Sequence, residues 1–313
     1  MDILSFKFIF GCGKIFFGRS ENMELTVKAN AKINLLLDIT GIKENGYHSL
    51  FTIMQSISLG DTITVRKTDG EDITISCTVD GVPTDSRNIV YKCAVKFFEY
   101  AGITENKGIH IHIDKVTPFC AGMGGGSADG AAVLVALNKI FNTNYHEKVL
   151  CRIGVKVGAD IPFCIVGGTA LALDTGAVVA PLPDLGDYHI VVVKPEDGVS
   201  TKEAYDAVDS LEYMKHPQNY KMMELLADGK SDEALALCSN VFEQALEVPG
   251  RVDIKAICNK AGAAAACMTG SGSAVYGIFK EKANAEMAVD ELKAKFKNVY
   301  LCTPESYGVK ICE

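Results

Sequence analysis

The 313 residues carry a formal net charge of −8 and are 48% hydrophobic. A chain of this size fills one large or two ordinary domains around a core that needs no staples. The acidic balance, with no basic run, argues against a nucleic-acid partner held by bulk electrostatics, and no apolar run approaches the ~20 residues of a membrane span. The 11 cysteines are odd in number and form no CxxC pair. Most sit in apolar runs, as Cys93 does in IVYKCAVKFF and Cys164 in IPFCIV. They read as reduced, mostly buried thiols of a cytoplasmic protein rather than as zinc ligands.

In chain order, residues 1–22 (MDILSFKFIFGCGKIFFGRSEN) differ from the rest and read as a leader or upstream extension outside the fold, because Met23 and a clean alternating strand follow. ELTVKANAKINLLLDI alternates and then becomes continuously apolar, which predicts two strand segments with a break near Ala29 to Lys32. Asn45-Gly46 is a turn signal. FTIMQSISL, DTITVRK and DITISCTV, separated by Gly-Asp and Asp-Gly-Glu-Asp, predict a meander of hairpins. RNIVYKCAVKFFEYAG has helical periodicity, with Cys93 and Phe97 on one face and Gly102 as the C-terminal cap. GIHIHID predicts a strand. Val133, Leu134, Leu137 and Ile140 mark a helix from about Ser127 to Ile140, and a short helix is expected over Glu147 to Val155. GADIPF reads as a loop and GGTALAL as a strand.

Pro181 and Pro183 in PLPDLGDY mark the expected domain boundary, giving an N-terminal domain over 23–180 and a C-terminal domain over 181–313. HIVVVKP then predicts a buried strand, and STKEAYDAV a helix capped by Ser200 or Thr201. Further helices run to Asn259. AAAACMTGSGSAVYGIF reads as strand, glycine turn and strand, EKANAEMAVDELKAKF as an amphipathic helix, and VYLCTPE as the last strand.

The informative stretch is PFCAGMGGGSADGAA. Glycines at 122, 124, 125 and 126 exceed what a strand-to-helix turn needs. A helix N-terminus offers unpaired N–H groups and a partial positive charge, and glycines before it let several N–H groups converge on one anion. A phosphate cradle is the expected role. The Walker pattern fails because no lysine follows the glycines, and GxGxxG fails because Ser127 stands where its last glycine belongs.

What does fit is P-x3-G-apolar-G-x-x-S-A after a strand. With KANAKINL before it and MTGSGSAVYGIF after it, in that order, the chain from Met23 to its end resembles the GHMP kinases, named for galactokinase, homoserine kinase, mevalonate kinase and phosphomevalonate kinase. The resemblance implies an α+β, two-domain GHMP kinase fold. Its N-terminal domain is ribosomal-protein-S5-like and carries the first two motifs, its C-terminal domain is ferredoxin-like and carries the third, and the active site lies in the cleft between them. It also implies ATP, whose phosphates would be wrapped by Pro118, Phe119, Cys120, Ala121, Gly122, Met123, Gly124, Gly125, Gly126, Ser127 and Ala128. Met123 stands where the family more often has Leu, and Asp129 where Asn or a small polar residue is more usual.

KINL, GYHSLFTIMQSISLGD, GADIPF and GVSTKEAY further resemble one subgroup. Its members use ATP to phosphorylate the 2-hydroxyl of CDP-methylerythritol on the non-mevalonate route to isoprenoid precursors. On spacing alone Asp160 reads as a cap or turn aspartate, and Lys32 as a strand lysine facing solvent or a carboxylate. The resemblance makes Asp160 the catalytic base, and Lys32 the group that steadies its carboxylate and the developing alkoxide.

Asn34 shares the strand face of Lys32 and by resemblance meets the substrate. Tyr47 and His48 alone read as a packed aromatic and a solvated histidine. The resemblance has Tyr47 stack on the cytosine and His48 hydrogen-bond it, with Tyr205 closing the other side and Thr201 one helical turn earlier on the same face. Gly270, Ser271 and Gly272 of the third motif join the substrate side.

His110 and His112 show no partner pattern. Mg²⁺ is expected with ATP, its protein ligands unknown. The only partner expected is the small-molecule substrate, with no nucleic acid and no membrane, in a monomer or homodimer. Two other readings stay open. Another GHMP kinase, such as homoserine kinase, would not need the Tyr47–His48–Tyr205 set. A non-catalytic nucleotide-binding module would not need Lys32 and Asp160.

Overall fold

A computed structural model describes residues 23–44, 46–196 and 198–312; the expected leader and Asn45 of the Asn45-Gly46 turn lie outside the described residues. The first strand, β1 (Glu24–Ile42), runs unbroken through KANAKINLLLDI. It pairs antiparallel with β2 (His48–Lys67), and the expected break near Ala29 to Lys32 is a register shift between Asn30 and Lys32. A bulge bends a strand without ending it, so one strand serves several cores. Val27 and Ala29 join one core cluster, Ala31, Ile33, Leu35 and Leu36 a second, and Leu37 and Ile39 a third. Burial on both faces is why the alternation gives way to a continuous apolar run.

The expected meander is also corrected. FTIMQSISLGDTITVRK is a single strand, and Gly60-Asp61 makes no turn. A Cβ on Gly60 would lie 2.3 Å from the Ala29 carbonyl oxygen, so glycine permits this close strand approach. After β2 come β3 (Ile73–Cys77), α1 (Ile89–Ala101) and β4 (Ile109–Asp114). The β3 strand pairs parallel with β4 through the α1 crossover, as parallel pairing requires a long connection. His110 and His112, for which the sequence shows no partner pattern, hydrogen-bond to Thr74 and Ser76 of β3. Gly102 caps α1 with a left-handed φ of 67°, as expected.

Next come α2 (Gly125–Ile140), α3 (Glu147–Gly154), α4 (Ile161–Val166), β5 (Thr169–Asp174) and β6 (Val178–Pro181). The α2 helix starts two residues before the expected Ser127, so Gly125 and Gly126 form its first turn. It is buried over most of its surface through alanines and through Leu134 and Leu137. Each fully buried leucine contributes roughly 1.5–3 kcal/mol. A Cβ on Gly130 would meet Cys93 Sγ of α1 at 2.8 Å, so glycine sets how closely the two helices cross. GADIPF is not wholly a loop, since Asp160 stands at the N-cap position of α4 and Pro162 lies in its first turn.

The rest is β7 (His189–Lys194), α5 (Thr201–Asp209), α6 (Asn219–Ala227), α7 (Ser231–Leu235), β8 (Ser239–Asn240), α8 (Arg251–Lys260), β9 (Ala265–Met268), β10 (Val275–Phe279), α9 (Lys282–Lys293), β11 (Asn298–Cys302) and β12 (Val309–Ile311). Ser200 caps α5 in a reciprocal capping box with Glu203. The second sheet is antiparallel with order β11-β7-β10-β9. Strand, helices, strand, strand, helix, strand is the ferredoxin-like succession.

VYLCTPE is not the last strand: β12 follows and pairs with β1. The two-residue β8 also pairs with β1. Both returns knit the second half of the chain into the first sheet. The second core cluster lies between the sheets, with Ile33 and Ile53 from the first and Ile190 and Tyr276 from the second.

Candidate active site

The glycine turn between β4 and α2 is held by backbone pairing on both sides. Lys32 N–H donates to the Met123 carbonyl at 2.9 Å and Ala274 N–H to the Ala121 carbonyl at 3.2 Å. Ala121, Met123 and Ala128 are buried, so their side chains anchor the turn from the core. Cys120, Gly122 and Gly124 have left-handed φ values of 56°, 73° and 66°, which bend the backbone around the helix start. Only glycine takes that conformation without strain. Gly126 is exposed, and a Cβ there would meet nothing within 4 Å. Gly124 and Ser127, on either side of the first helical residues, both line the open cleft, so the start of α2 can be reached from it, as an anion site needs.

Lys32 points into this turn from β1. Its Nζ donates to Asn34 Oδ1 at 2.8 Å and to the Gly122 carbonyl at 2.9 Å, and lies 3.5 Å from Asp160 Oδ2. The lysine side chain is 4% exposed and the aspartate 38%. Two neutral acceptors fix the ammonium, and the carboxylate reaches it from the open side. Asn34 is a junction. Its Oδ1 also accepts from Thr269 Oγ1 at 3.1 Å and from Gly270 N–H at 2.9 Å, and its Nδ2 donates to Thr52 Oγ1 at 2.8 Å. The first and third sequence motifs thus meet through one side chain. Asn240 supports the third motif from behind, its Nδ2 donating to the carbonyls of Met268 and Gly270.

These groups line a cleft of about 520 Å³. Lys32, Asn34, Cys120, Gly122, Gly124, Ser127, Asp160, Thr201, Tyr205 and Gly270 to Gly272 all face it. Thr201 Oγ1 and Ser271 Oγ stand 3.3 Å apart and join α5 to the third-motif turn. The remaining expected residues sit elsewhere. Pro118, Phe119, Gly125 and Gly126 flank the turn without lining the cleft, and Phe119 is 55% exposed. Tyr47 is 66% exposed. His48 lies against Tyr205, with ring centroids 4.5 Å apart and planes inclined by 27°. His48 Nε2 is 2.8 Å from Asp209 Oδ1. Burial pushes the Tyr205 hydroxyl up to about 12, with the carboxylates of Asp160 and Asp209 adding to the effect, so it stays a neutral donor.

Sequence reasoning missed Thr52, Asp209 and Thr269. Thr269 lies inside the quoted MTGSGS motif, so the motif was a signal for it. Asp209 follows the α5 face of Tyr205 by one turn. Thr52 had no local signal, because only the β1–β2 register brings it to Asn34. Among the described residues, no group of three or more His, Cys, Asp or Glu side chains is arranged to hold a metal ion, and no helix is long and apolar enough to cross a membrane.

Residues 88–168 match the family described as GHMP kinases N terminal domain, and residues 221–298 match GHMP kinases C terminal. The chain is 41% identical over 281 residues to a 4-diphosphocytidyl-2-C-methyl-D-erythritol kinase of Clostridium perfringens, covering 88% of this chain and 97% of that one. It is 40% identical over 281 residues to the kinase of the same name from Caldicellulosiruptor bescii, covering 89% and 98%. Among solved structures, a 4-(cytidine 5'-diphospho)-2C-methyl-D-erythritol kinase superposes with a TM-score of 0.71 at 28% identity, over 90% of this chain and 99% of that one. A homoserine kinase from Cytophaga hutchinsonii superposes with a TM-score of 0.76 at 20% identity, over 95% and 100%, which shows a shared fold.

Proposed function

The chain belongs to the GHMP kinases, and from that premise we propose that it transfers the γ-phosphoryl group of ATP to the 2-hydroxyl of 4-diphosphocytidyl-2-C-methyl-D-erythritol. It is an ATP-dependent small-molecule kinase. The substrate follows the curated relatives at about 40% identity. The observation that carries the chemistry is the meeting of Lys32 and Asp160 at the mouth of the glycine turn.

Phosphoryl transfer asks a protein mainly to position reactants and neutralise charge. The N–H groups at the start of α2 and the Gly122–Ser127 backbone hold the phosphates. The acceptor hydroxyl lies against Asp160, whose partly exposed carboxylate takes its proton as the new O–P bond forms and the bond from Pγ to the β–γ bridging oxygen breaks. Lys32, held by Asn34 and Gly122, keeps that carboxylate in place and faces the oxygen on which negative charge develops. Mg²⁺ bound with the nucleotide would neutralise its phosphates; no side chain here is assigned to it.

The Tyr205 face with His48, and Thr201 with Ser271, form the wall for the cytidine diphosphate portion, with Tyr47 at its rim. We assign residues 23–180 to nucleotide binding and 181–313 to the third-motif domain. ADP release with CDP-methylerythritol and with homoserine tests this reading. Turnover with CDP-methylerythritol is expected. Turnover with homoserine alone would replace the substrate, and nucleotide binding without turnover on either would point to a non-catalytic module.

A further inference from the structure

Beside the glycine turn, outside the cleft lining, three charged side chains are buried together. Lys115 Nζ is 2.7 Å from Asp61 Oδ2 and 2.6 Å from Asp129 Oδ2, and none of the three side chains is more than 6% exposed. Asp61 Oδ1 accepts the N–H groups of Val116 and Thr117, each at 2.7 Å. A carboxylate on β2 therefore fixes the chain that leads into the turn. Asp129 stands one turn into α2. Lys115 Nζ would lie only 3.4 Å, and Thr117 Cγ2 2.9 Å, from a Cβ on Gly125, the first residue of that helix. The ammonium is thus packed against the helix N-terminus whose N–H groups face the anion site. Buried Asp129 Oδ1 and Thr117 Oγ1 have no hydrogen-bond partner.

We propose that Asp61, Lys115 and Asp129 form a positioning cluster that fixes the phosphate turn from behind and, through the proton carried by Asp129, tunes its hold on the nucleotide. The inference rests on the reading that this turn binds ATP phosphates. With both carboxylates ionised the cluster carries one net negative charge behind a site for anions. With Asp129 protonated it is neutral.

Burial pushes the Asp129 carboxyl up to about 8; Lys115 opposes the shift and Asp61 reinforces it. The thiols near it stay neutral: burial raises Cys93 of α1 to about 12, and Cys164 of α4 goes higher still. Bound phosphates repel a second negative charge, so nucleotide favours the protonated cluster. By linkage, affinity falls as pH rises through the Asp129 transition.

The test is calorimetric titration of the full chain with ATP from about pH 6.5 to 9.5, for the wild type and Asp129→Asn, with melting temperatures recorded alongside. Above about pH 8 the wild type should weaken roughly three- to tenfold relative to Asp129→Asn, whose cluster cannot gain the charge. ATP's own ionisation acts equally on both proteins. Asp129→Ser, also uncharged, should match the Asn variant and replaces it if that variant does not fold. Parallel pH profiles in wild type and variant would overturn the cluster's role, whatever the melting temperatures. Failure of the wild type to bind ATP at any pH would sink the phosphate-turn reading and the cluster's role with it.

Discussion

Gly122 and Gly270 belong to different sequence motifs and interlock backbone to backbone. A Cβ on Gly122 would lie 2.2 Å from the Thr269 carbonyl oxygen, and a Cβ on Gly270 would lie 2.6 Å from the Gly122 carbonyl oxygen. Both residues have left-handed φ, 73° and 57°. Neither glycine exists to flex. Each lets one turn touch the other, so that the glycine turn and the third motif form a single wall.

That contact separates two kinds of glycine. Gly122→Ala should destabilise the chain by about 2 kcal/mol or more, from backbone strain and collision together, read as a lower urea midpoint. Gly126→Ala, at an open helical position, should leave the midpoint unchanged or slightly raised and weaken only ATP binding. Equal midpoints for both variants would contradict the interlock.

Asp160→Asn should lower turnover by roughly 10²–10⁴-fold, the usual range for a lost general base. ATP affinity should stay within a few-fold of wild type. Its partly exposed pairing with Lys32 adds little stability, so the melting temperature should hardly move. Lys32→Met should lose turnover too, but with a clear loss of stability, because Asn34 Oδ1 and the Gly122 carbonyl lose a charged donor in a buried site. Steady-state rates beside melting curves distinguish the two effects.

Tyr205→Ala removes the ring stacked on His48. The KM for CDP-methylerythritol should rise roughly three- to tenfold, from the loss of an aromatic contact, while the KM for ATP stays put. A matching rise in both constants would place Tyr205 in general support of the cleft rather than at the cytidine end.

Thiol labelling offers a check that needs no substrate. Among the cysteines of the described residues, Cys120, exposed in the glycine turn, and Cys312, exposed near the chain end, should react first with a maleimide. Burial raises Cys93, Cys258 and Cys302 to about 12, so these should stay unreactive in the folded chain. ATP should protect Cys120 and leave Cys312 unprotected; mass spectrometry of the labelled peptides reads the outcome.

Much of this site was legible because its signals are local. The glycine spacing at 122–126, the strand face shared by Lys32 and Asn34, and the Ser200 cap of α5 depend on residues a few positions apart, where backbone geometry fixes what each side chain can reach. Three ordered motifs then carried the family. The local pattern misled where a distant contact overrode it. Gly60-Asp61 looks like a turn but lies inside β2, because Gly60 packs on Ala29 and Asp61 turns inward to Lys115 and the Thr117 N–H. GYHSL offered Tyr47 and His48 for the ligand, but no local pattern showed that His48 would stack on Tyr205. Helix α5 comes over the end of β2 only in the folded chain.

The sequence by itself determined most of the elements, the glycine turn and the choice of Lys32 and Asp160 as the pair proposed to react, since each rests on short-range geometry or on a motif. Only the tertiary structure decided that Asn34 joins Lys32 to Thr269 and Gly270, that Asp61, Lys115 and Asp129 share one buried space, and that β12 returns to β1. Those contacts join residues far apart in the chain, and burial selects them by requiring every enclosed charge and polar group to find a partner.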